Sequence, residues 1–260
     1  MLVAGNWKSN KSFNEAKEFA NAIAAMPQAP AGVEVMIAPP APYLAAMGDA
    51  KPPFRLGSQN VSATGSGAHT GEFTAEMLAG CGVQDVIVGH SERRDGYGDH
   101  DKVVAEKVSR VLDAGLRVIF CCGESLQDRQ SDVHFDKVLR QMESAILHLP
   151  AEVMDRVVVA YEPIWAIGTG LTATEEQAQE MHAAIRGWLR EAFDDATAKS
   201  IPLLYGGSCK PANADALFAC EDVDGGLIGG AALDPESFMA LVEAAGRVSA
   251  LRMQAGAEPS

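Results

Sequence analysis

The feature that most constrains the fold is a repeated alternation of short apolar runs with longer amphipathic segments. Short runs rich in small and β-branched residues are typical of strands buried on both faces, as in a parallel sheet. The eight runs are Leu2–Trp7, Val33–Ala38, Phe54–Gln59, Asp85–Gly89, Arg117–Cys122, Arg156–Glu162, Ile201–Tyr205 and Gly225–Gly229. The segments between them carry helical spacing, most clearly from Ala178 to Leu189. This alternation predicts an α/β protein with parallel strands and right-handed crossovers. Eight units predict a single closed (β/α)8 barrel, because a doubly wound open sheet usually has about five or six strands.

The helix starts and the domain bounds can also be read from the sequence. Ser12 with Glu15, and Thr174 with Gln177, fit the capping box that opens a helix. The chain has 260 residues, close to the roughly 250 of a single barrel, and no linker or composition break divides it. Residues 1–248 are therefore predicted to form one barrel domain. Residues 249–260 lack periodicity and are expected to be a frayed tail.

Charge and cysteine content exclude several classes of partner. The net charge of −14 argues against binding nucleic acid or an anionic membrane surface. No apolar stretch approaches the roughly 20 residues of a membrane span. The five cysteines are an odd count without a CxxC pair, and no signal peptide is evident at the start. We therefore expect a reducing, cytoplasmic location.

Polar residues and glycines stand where the predicted strands end. In a barrel of parallel strands, all carboxyl ends meet at one rim, which is where such folds carry their chemistry. These residues are Asn6 and Lys8 after the first run, His90 after the fourth, Glu162 at the end of the sixth, Gly206-Gly207-Ser208 after the seventh, and Gly229-Gly230 at the end of the eighth. Their convergence favours a functional site more strongly than any one of them alone.

The sixth run and the residues after it give the most specific indication of a functional site. Glu162 is followed by Pro163, which disfavours helix in the preceding residue and predicts that the strand ends there. The next residues, 164–167, are apolar, and a Gly-Thr-Gly sequence follows. This pattern suggests a carboxylate base under an apolar, movable lid. The alternative is an ion-paired glutamate beside a packed loop.

The other rim residues have structural alternatives as well. Lys8 and Asn6 would on their own be a solvated lysine and a turn asparagine, and a single histidine such as His90 is often structural. The pair Gly229-Gly230 predicts either bare amides for an anion or tight packing between strand and helix.

Motifs for other chemistries fail. Residues 168–173 fit GxGxxA, but the acidic residue expected on a second strand is missing, and GxSxG, HExxH, EF-hand and P-loop patterns are all absent. Cys121 and Cys122 are adjacent on a predicted strand and point to opposite faces, which disfavours a shared metal. We expect no cofactor and no metal. A carboxylate, an imidazole, a lysine and phosphate-binding amides suffice for proton transfer on a small phosphorylated substrate.

Six segments closely resemble the triosephosphate isomerase family in both residues and spacing. They are AGNWKSN (4–10), GSQNVSATGSGAHTGE (57–72), VGHSERR (88–94), AYEPIWAIGTG (160–170), YGGS (205–208) and GLIGGAAL (226–233). The resemblance covers nearly the whole chain. It implies a TIM barrel that interconverts dihydroxyacetone phosphate and D-glyceraldehyde 3-phosphate through an enediol intermediate, a step of glycolysis and gluconeogenesis.

The same resemblance assigns catalytic roles to four residues. By similarity, Glu162 is the base that moves the proton between the two carbons, and His90 is a neutral electrophile toward the carbonyl oxygens. This family is itself an established example of an imidazole tuned by a helix terminus, so that point is borrowed from it. Lys8 would balance the charge of phosphate and enediolate, and Asn6 would hold the substrate oxygens.

Binding and supporting roles follow from the same similarity. Ser91 would hold Glu162 while the site is empty, and Glu92 would support Lys8. The implied phosphate contacts are the amides of Gly168, Gly229 and Gly230, together with Ser208. The segment from Pro163 to Gly170 would be a lid that closes to exclude water.

A homodimer is also implied by the resemblance. The glycine-rich stretch Ser62–Glu72 resembles the family's dimer loop, with Thr70 at a tip that enters the neighbouring subunit near Asn6 and Lys8. Three nearby residues depart from the family pattern: Ser9 stands where many members carry Met, His69 where many carry an apolar or aromatic residue, and Asp99 where Glu is usual.

Two other functions are alternatives to the isomerisation of a triose phosphate. One is a related barrel isomerase for a four-carbon ketose phosphate; such relatives tend to depart in the lid and the strand-eight loop, whereas residues 168–170 and 229–233 keep the triose pattern. The other is a non-catalytic barrel that binds phosphorylated metabolites, which should have lost Glu162 or His90.

Overall fold

The structure is a computed structural model. It describes the backbone of residues 1–167 and 172–257, and the side chains of residues 1–167 and 172–255.

Eight parallel strands close into a barrel in the order of the sequence. The strands are β1 Leu2–Asn6, β2 Glu34–Ala38, β3 Arg55–Ser58, β4 Asp85–Val88, β5 Arg117–Glu124, β6 Val157–Pro163, β7 Leu203–Tyr205 and β8 Gly225–Ile228. Strand β1 pairs in parallel with β2 on one side and with β8 on the other, which closes the ring. The predicted fold class, a single (β/α)8 barrel, is confirmed.

Helices lie between the strands around the barrel. They are α1 Phe13–Ala25, α2 Leu44–Asp49, α3 Ala75–Gly80, α4 Ser91–Gly96, α5 Asp101–Asp113, α6 Leu126–Gln130, α7 His134–Ala145, α8 Glu175–Ala192, α9 Asp195–Ser200, α10 Ala214–Ala219 and α11 Pro235–Ala257. Short stretches of 3₁₀ helix span Ala41–Tyr43, Ala151–Arg156, Ile164–Ala166 and Gly230–Leu233. Both predicted capping boxes are present, at the N-caps Ser12 and Thr174. In the described residues, no helix combines the length and apolar composition that crossing a membrane requires.

The core has two layers because alternate strand residues face opposite sides of the sheet. Val3 packs outward with the helices, whereas Leu2 and Ala4 belong to a small cluster inside the barrel. A Cβ atom at Gly57 would collide with the sulfur of Met36, so the glycine makes room for that interior side chain. The barrel interior is thus filled, which leaves the rim for a ligand.

Several strand ends differ from the sequence-based bounds by one or two residues, and the last helix is longer than expected. Strand β6 continues through Pro163 because that residue still pairs in register with Glu124. Helix α11 runs to Ala257, well past Val248. The division into a barrel over residues 1–248 and a tail over 249–260 stays a prediction.

Candidate active site

A cavity of ≈ 450 Å³ opens at the carboxyl ends of the strands. This volume lies within the range of roughly 300–1,000 Å³ that is usual for small-molecule sites. The predicted site residues that line it are Asn6, Lys8, His90, Glu92, Ser208, Gly229 and Gly230. Glu162 and Ser91 lie next to it, behind His90. The predicted phosphate contact Gly168 lies outside the described residues, as do Thr169 and Gly170 of the predicted lid.

Glu162 is almost fully buried near the end of β6, with 1% of its surface exposed. Its carboxylate accepts hydrogen bonds from the Ser91 backbone N–H at 2.9 Å and from the Ser91 hydroxyl at 3.1 Å. Its Oε1 atom also lies 3.1 Å from His90 Nε2. The carboxylate therefore points at Ser91 and His90, and it must turn to reach a molecule bound in the cavity.

The tautomer of His90 follows from its contacts. His90 is the N-cap of α4, and its Nδ1 atom accepts a hydrogen bond from the Glu92 backbone N–H at 3.2 Å. An accepting Nδ1 atom carries no proton, so the single ring proton lies on Nε2. That proton points toward Glu162 at the edge of the cavity. Gly89 precedes the histidine with φ +77°, a backbone conformation that strongly favours glycine.

Lys8 is held in a strained backbone conformation. Its φ is +52°, which costs about 1–2 kcal/mol for a residue other than glycine. Two contacts hold it there: its N–H donates to Asn6 Oδ1 at 3.0 Å, and its carbonyl accepts from Gln59 Nε2 at 2.9 Å. Its Nζ atom forms a 2.5 Å ion pair with Glu92 Oε1. Strain maintained by surrounding contacts is common at functional sites.

Glycines leave the part of the cavity wall after β8 open. Gly229 immediately precedes the 3₁₀ turn Gly230–Leu233. A Cβ atom at Gly230 would meet nothing within 4 Å, and one at Gly229 would lie 3.5 Å from Lys8 Cε. The backbone of this loop is therefore accessible to a ligand and close to the Lys8 side chain. Ser208 and Lys210 also line the cavity.

A buried carboxylate anchors the start of the predicted lid. Glu124 is fully buried and accepts hydrogen bonds from Trp165 Nε1 at 2.8 Å and from the Tyr161 hydroxyl at 3.0 Å. Arg129 pairs with the same carboxylate and lies over the Trp165 ring at 5.3 Å. Burial, together with the negative charge of Glu124, raises the pKa of Tyr161 well above its usual value.

Some residues of the site were not assigned a role from the sequence. A Cβ atom at Gly206 would lie 2.9 Å from Glu162 Cγ, so this glycine provides the space that Glu162 occupies. Gln59 secures the Lys8 backbone, and Lys210 adds a positive charge to the cavity wall. The position of Gln59 at the end of the third run was a signal, whereas nothing in the sequence linked Gly206 to Glu162. Among the residues that the structure describes, no group of three or more His, Cys, Asp or Glu side chains is placed to hold a metal ion.

A second cavity, of ≈ 420 Å³, lies beside the first and shares Asn6, Lys8, His90 and Glu92 with it. Gly71, Glu72 and Tyr97 belong to its other walls, and residues 66–72 of the predicted dimer loop are exposed.

The polar network at Asp99 lies close to this second cavity. Asp99 is buried and pairs with Arg93 at 2.9 Å and with Lys107 at 2.8 Å. Lys107 also donates to Asn60 at 2.8 Å, and burial lowers the pKa of its ammonium group. The shorter aspartate thus still reaches both cations.

Comparisons with known proteins agree on one family. The family model described as triosephosphate isomerase matches residues 1–245. A protein of Cytophaga hutchinsonii named triosephosphate isomerase is 47% identical over 92% of this chain and 96% of its own length. Proteins of the same name from Alkalilimnicola ehrlichii and Thiobacillus denitrificans are 47% and 48% identical, over 94% and 95% of this chain, and each is covered over 98% of its length.

Proposed function

The chain belongs to the triosephosphate isomerase family, and we propose that the residues around the ≈ 450 Å³ cavity carry the family's reaction. The chain is an isomerase that interconverts dihydroxyacetone phosphate and D-glyceraldehyde 3-phosphate, a step of glycolysis. The observation that carries the proposal is the 3.1 Å contact between Glu162 Oε1 and His90 Nε2 at the edge of a cavity that also holds Lys8. It joins a base, a proton donor and a cation, which are the groups that moving a proton between adjacent carbons requires.

Glu162 is the proposed base. Without substrate, its carboxylate rests on the two donors of Ser91. Substrate binding draws it from Ser91 into the cavity, where it removes a proton from one carbon and returns it to the neighbouring carbon. Gly206 has no side chain to obstruct this movement.

The negative charge that develops on the substrate oxygens is stabilised by three groups. His90 donates its Nε2 proton to a carbonyl oxygen, since its Nδ1 atom is occupied by the Glu92 N–H. Lys8 supplies a fixed positive charge, which a water-poor site makes more effective. Because the Oδ1 atom of Asn6 already accepts from the Lys8 backbone, its amide NH₂ group is left to donate to substrate.

The proposed phosphate site lies at the loops after β7 and β8. The backbone N–H groups of Gly229 and Gly230, with the Ser208 hydroxyl, bind the phosphate oxygens; this is supported by their place in the cavity wall. Gly168 is included on family similarity alone. The chain carries a net charge of −14, which repels a dianion. The local donors and cations of the site are therefore needed to bind the phosphate group.

A homodimer and a cytoplasmic location complete the proposal. The loop Ser62–Glu72 of one subunit fills the ≈ 420 Å³ cavity of the other, with Thr70 near Asn6 and Lys8; the exposure of residues 66–72 supports this. Light scattering should give the mass of two chains for the parent and of one chain for Thr70→Arg. An unchanged mass would exclude this loop from the interface.

Five free thiols support a reducing compartment, which cell fractionation tests.

A coupled isomerase assay tests the reaction directly. The chain is given dihydroxyacetone phosphate or a four-carbon ketose phosphate, without added metal or nucleotide, and Glu162→Gln is compared with Glu18→Gln, a matched change at an exposed position on α1. We expect strong preference for the triose, loss of turnover in Glu162→Gln, and parental turnover in Glu18→Gln. Preference for the four-carbon sugar would contradict the triose assignment. Binding of a phosphate analogue without turnover of either sugar would indicate the binding-protein alternative.

A further inference from the structure

Lys11 links the loop after β1 to the loop after β8. Its Nζ atom donates a 2.8 Å hydrogen bond to the carbonyl of Leu233, the last residue of the 3₁₀ turn Gly230–Leu233. The carbonyl of Lys11 itself accepts from the Tyr43 hydroxyl at 2.8 Å. A single residue therefore contacts the end of the turn whose beginning lines the cavity, and its own backbone is fixed by a third segment.

The ammonium group of Lys11 is held in place by two aromatic rings. It lies 5.0 Å from the centre of the Phe19 ring and 5.3 Å from that of Trp7, within cation–π range. The two rings meet edge to face at 4.9 Å, and both residues are buried. The position of the ammonium group is thus set by the protein core.

The backbone of Lys11 is strained. Its φ is +70°, a conformation that glycine adopts freely and that other residues rarely adopt. A lysine at such a position is retained only when its contacts offset the strain. The contacts of the side chain with Leu233 and with the two rings contribute to that offset.

The two loops joined by Lys11 carry two parts of the active site. Asn6 and Lys8 lie on the β1 side, and Gly229 and Gly230 lie on the β8 side. Their approach is close, since a Cβ atom at Gly5 would lie 3.0 Å from Ala232 Cβ. A shift of the β8 loop therefore changes the distance between the phosphate amides and the Lys8 cation.

We propose that Lys11 is a positioning residue for phosphate binding, and the inference rests on the proposed function of the cavity. The ammonium group satisfies a carbonyl at the end of the Gly230–Leu233 turn and holds this turn against the β1 loop. Lys11 does not touch the substrate. It fixes where the Gly229 and Gly230 amides stand, so its loss should weaken the binding of substrate and of phosphate by similar factors.

The test compares Lys11→Met with Lys11→Arg and Lys17→Met. Methionine keeps much of the apolar stem and removes the charge, arginine can still donate to Leu233, and Lys17 is a matched control whose Nζ lies over an exposed ring, Phe13, at 4.8 Å. In Lys11→Met we expect KM for dihydroxyacetone phosphate and the dissociation constant of inorganic phosphate each to rise about tenfold, with kcat within about twofold. Lys11→Arg should recover most of the loss, and Lys17→Met should match the parent.

Lys11→Gly is the second variant in case Lys11→Met folds poorly, because glycine fits the φ of +70° without strain. It should show the same loss of phosphate affinity at an unchanged or higher Tm. Phosphate affinity within about twofold of the parent in a folded variant would overturn the proposal, as would a fall in Tm without a change in KM or phosphate affinity. An inactive parent chain would instead refute the proposed function, and the phosphate titration would still decide the role of Lys11.

Discussion

Replacing Gly206 by alanine tests how tightly Glu162, the proposed base, is positioned. The added methyl group would lie 2.9 Å from Glu162 Cγ and 3.0 Å from the carbonyl oxygen of Tyr161. That carbonyl accepts a 2.7 Å hydrogen bond from the Gly206 N–H, so the backbone on that side has little freedom to retreat. The Glu162 side chain is consequently the group that must move.

The size of the effect can be worked from these contacts. Ordinary carbon–carbon contacts begin near 3.5 Å, so Glu162 Cγ must shift by about 0.5 Å or more. Overpacking of this kind costs roughly 1–3 kcal/mol of stability. Since a displacement of about 1 Å at a reacting group costs on the order of 10²-fold in rate, we expect Gly206→Ala to lower kcat by about 10- to 100-fold.

The assay measures kcat, KM and the free energy of unfolding in urea. Gly187→Ala, in the middle of α8, is the matched control, because a Cβ atom there meets nothing within 4 Å and alanine favours the helix. The control should keep its activity and gain up to about 1 kcal/mol of stability. A folded Gly206→Ala variant with kcat within about twofold of the parent would refute the claim that this glycine sets the position of Glu162.

Further predictions concern acid and thiol chemistry. Burial lowers the pKa of His182 to about 4, so the unfolded chain binds the proton first and stability is lost as pH falls from 6.5 toward 4. Between pH 7 and pH 5, the free energy of unfolding measured in urea should therefore fall by about 2 kcal/mol. It should be absent from His182→Gln, and an equal pH dependence in both chains would contradict the assignment. A thiol reagent at neutral pH should spare the buried cysteines of the native chain until it unfolds, and rapid native modification of all five thiols would contradict their burial. These cysteines are Cys121, Cys122 and Cys209, and burial raises the pKa of each.

The sequence predicted the fold well because strands and helix starts depend mainly on residues that are close together in the chain. Apolar runs gave the strands to within a residue or two at most ends, and the capping boxes at Ser12 and Thr174 marked two helix starts. The end of β6 was placed one residue early, because pairing with Glu124 carries the strand through Pro163. That pairing depends on a neighbouring strand, which a single segment does not reveal.

The sequence predicted which residues gather around the cavity only in part, because some of the contacts there join distant segments of the chain. Rim residues such as His90 follow from strand ends, whereas the role of Gly206 depends on a side chain from another strand. The link from Lys11 to Leu233 joins residues at opposite ends of the chain. Contacts of this kind arise only when the barrel closes and brings β1 beside β8.

The most direct test of the central claim is the turnover of Glu162→Asp, measured together with phosphate affinity. Removing one methylene group withdraws the carboxylate by about 1.5 Å and leaves the proposed phosphate-binding amides in place. We predict that kcat falls by about 10²-fold or more, while the dissociation constant of inorganic phosphate stays within about threefold. Turnover close to that of the parent would contradict the assignment of Glu162 as the base.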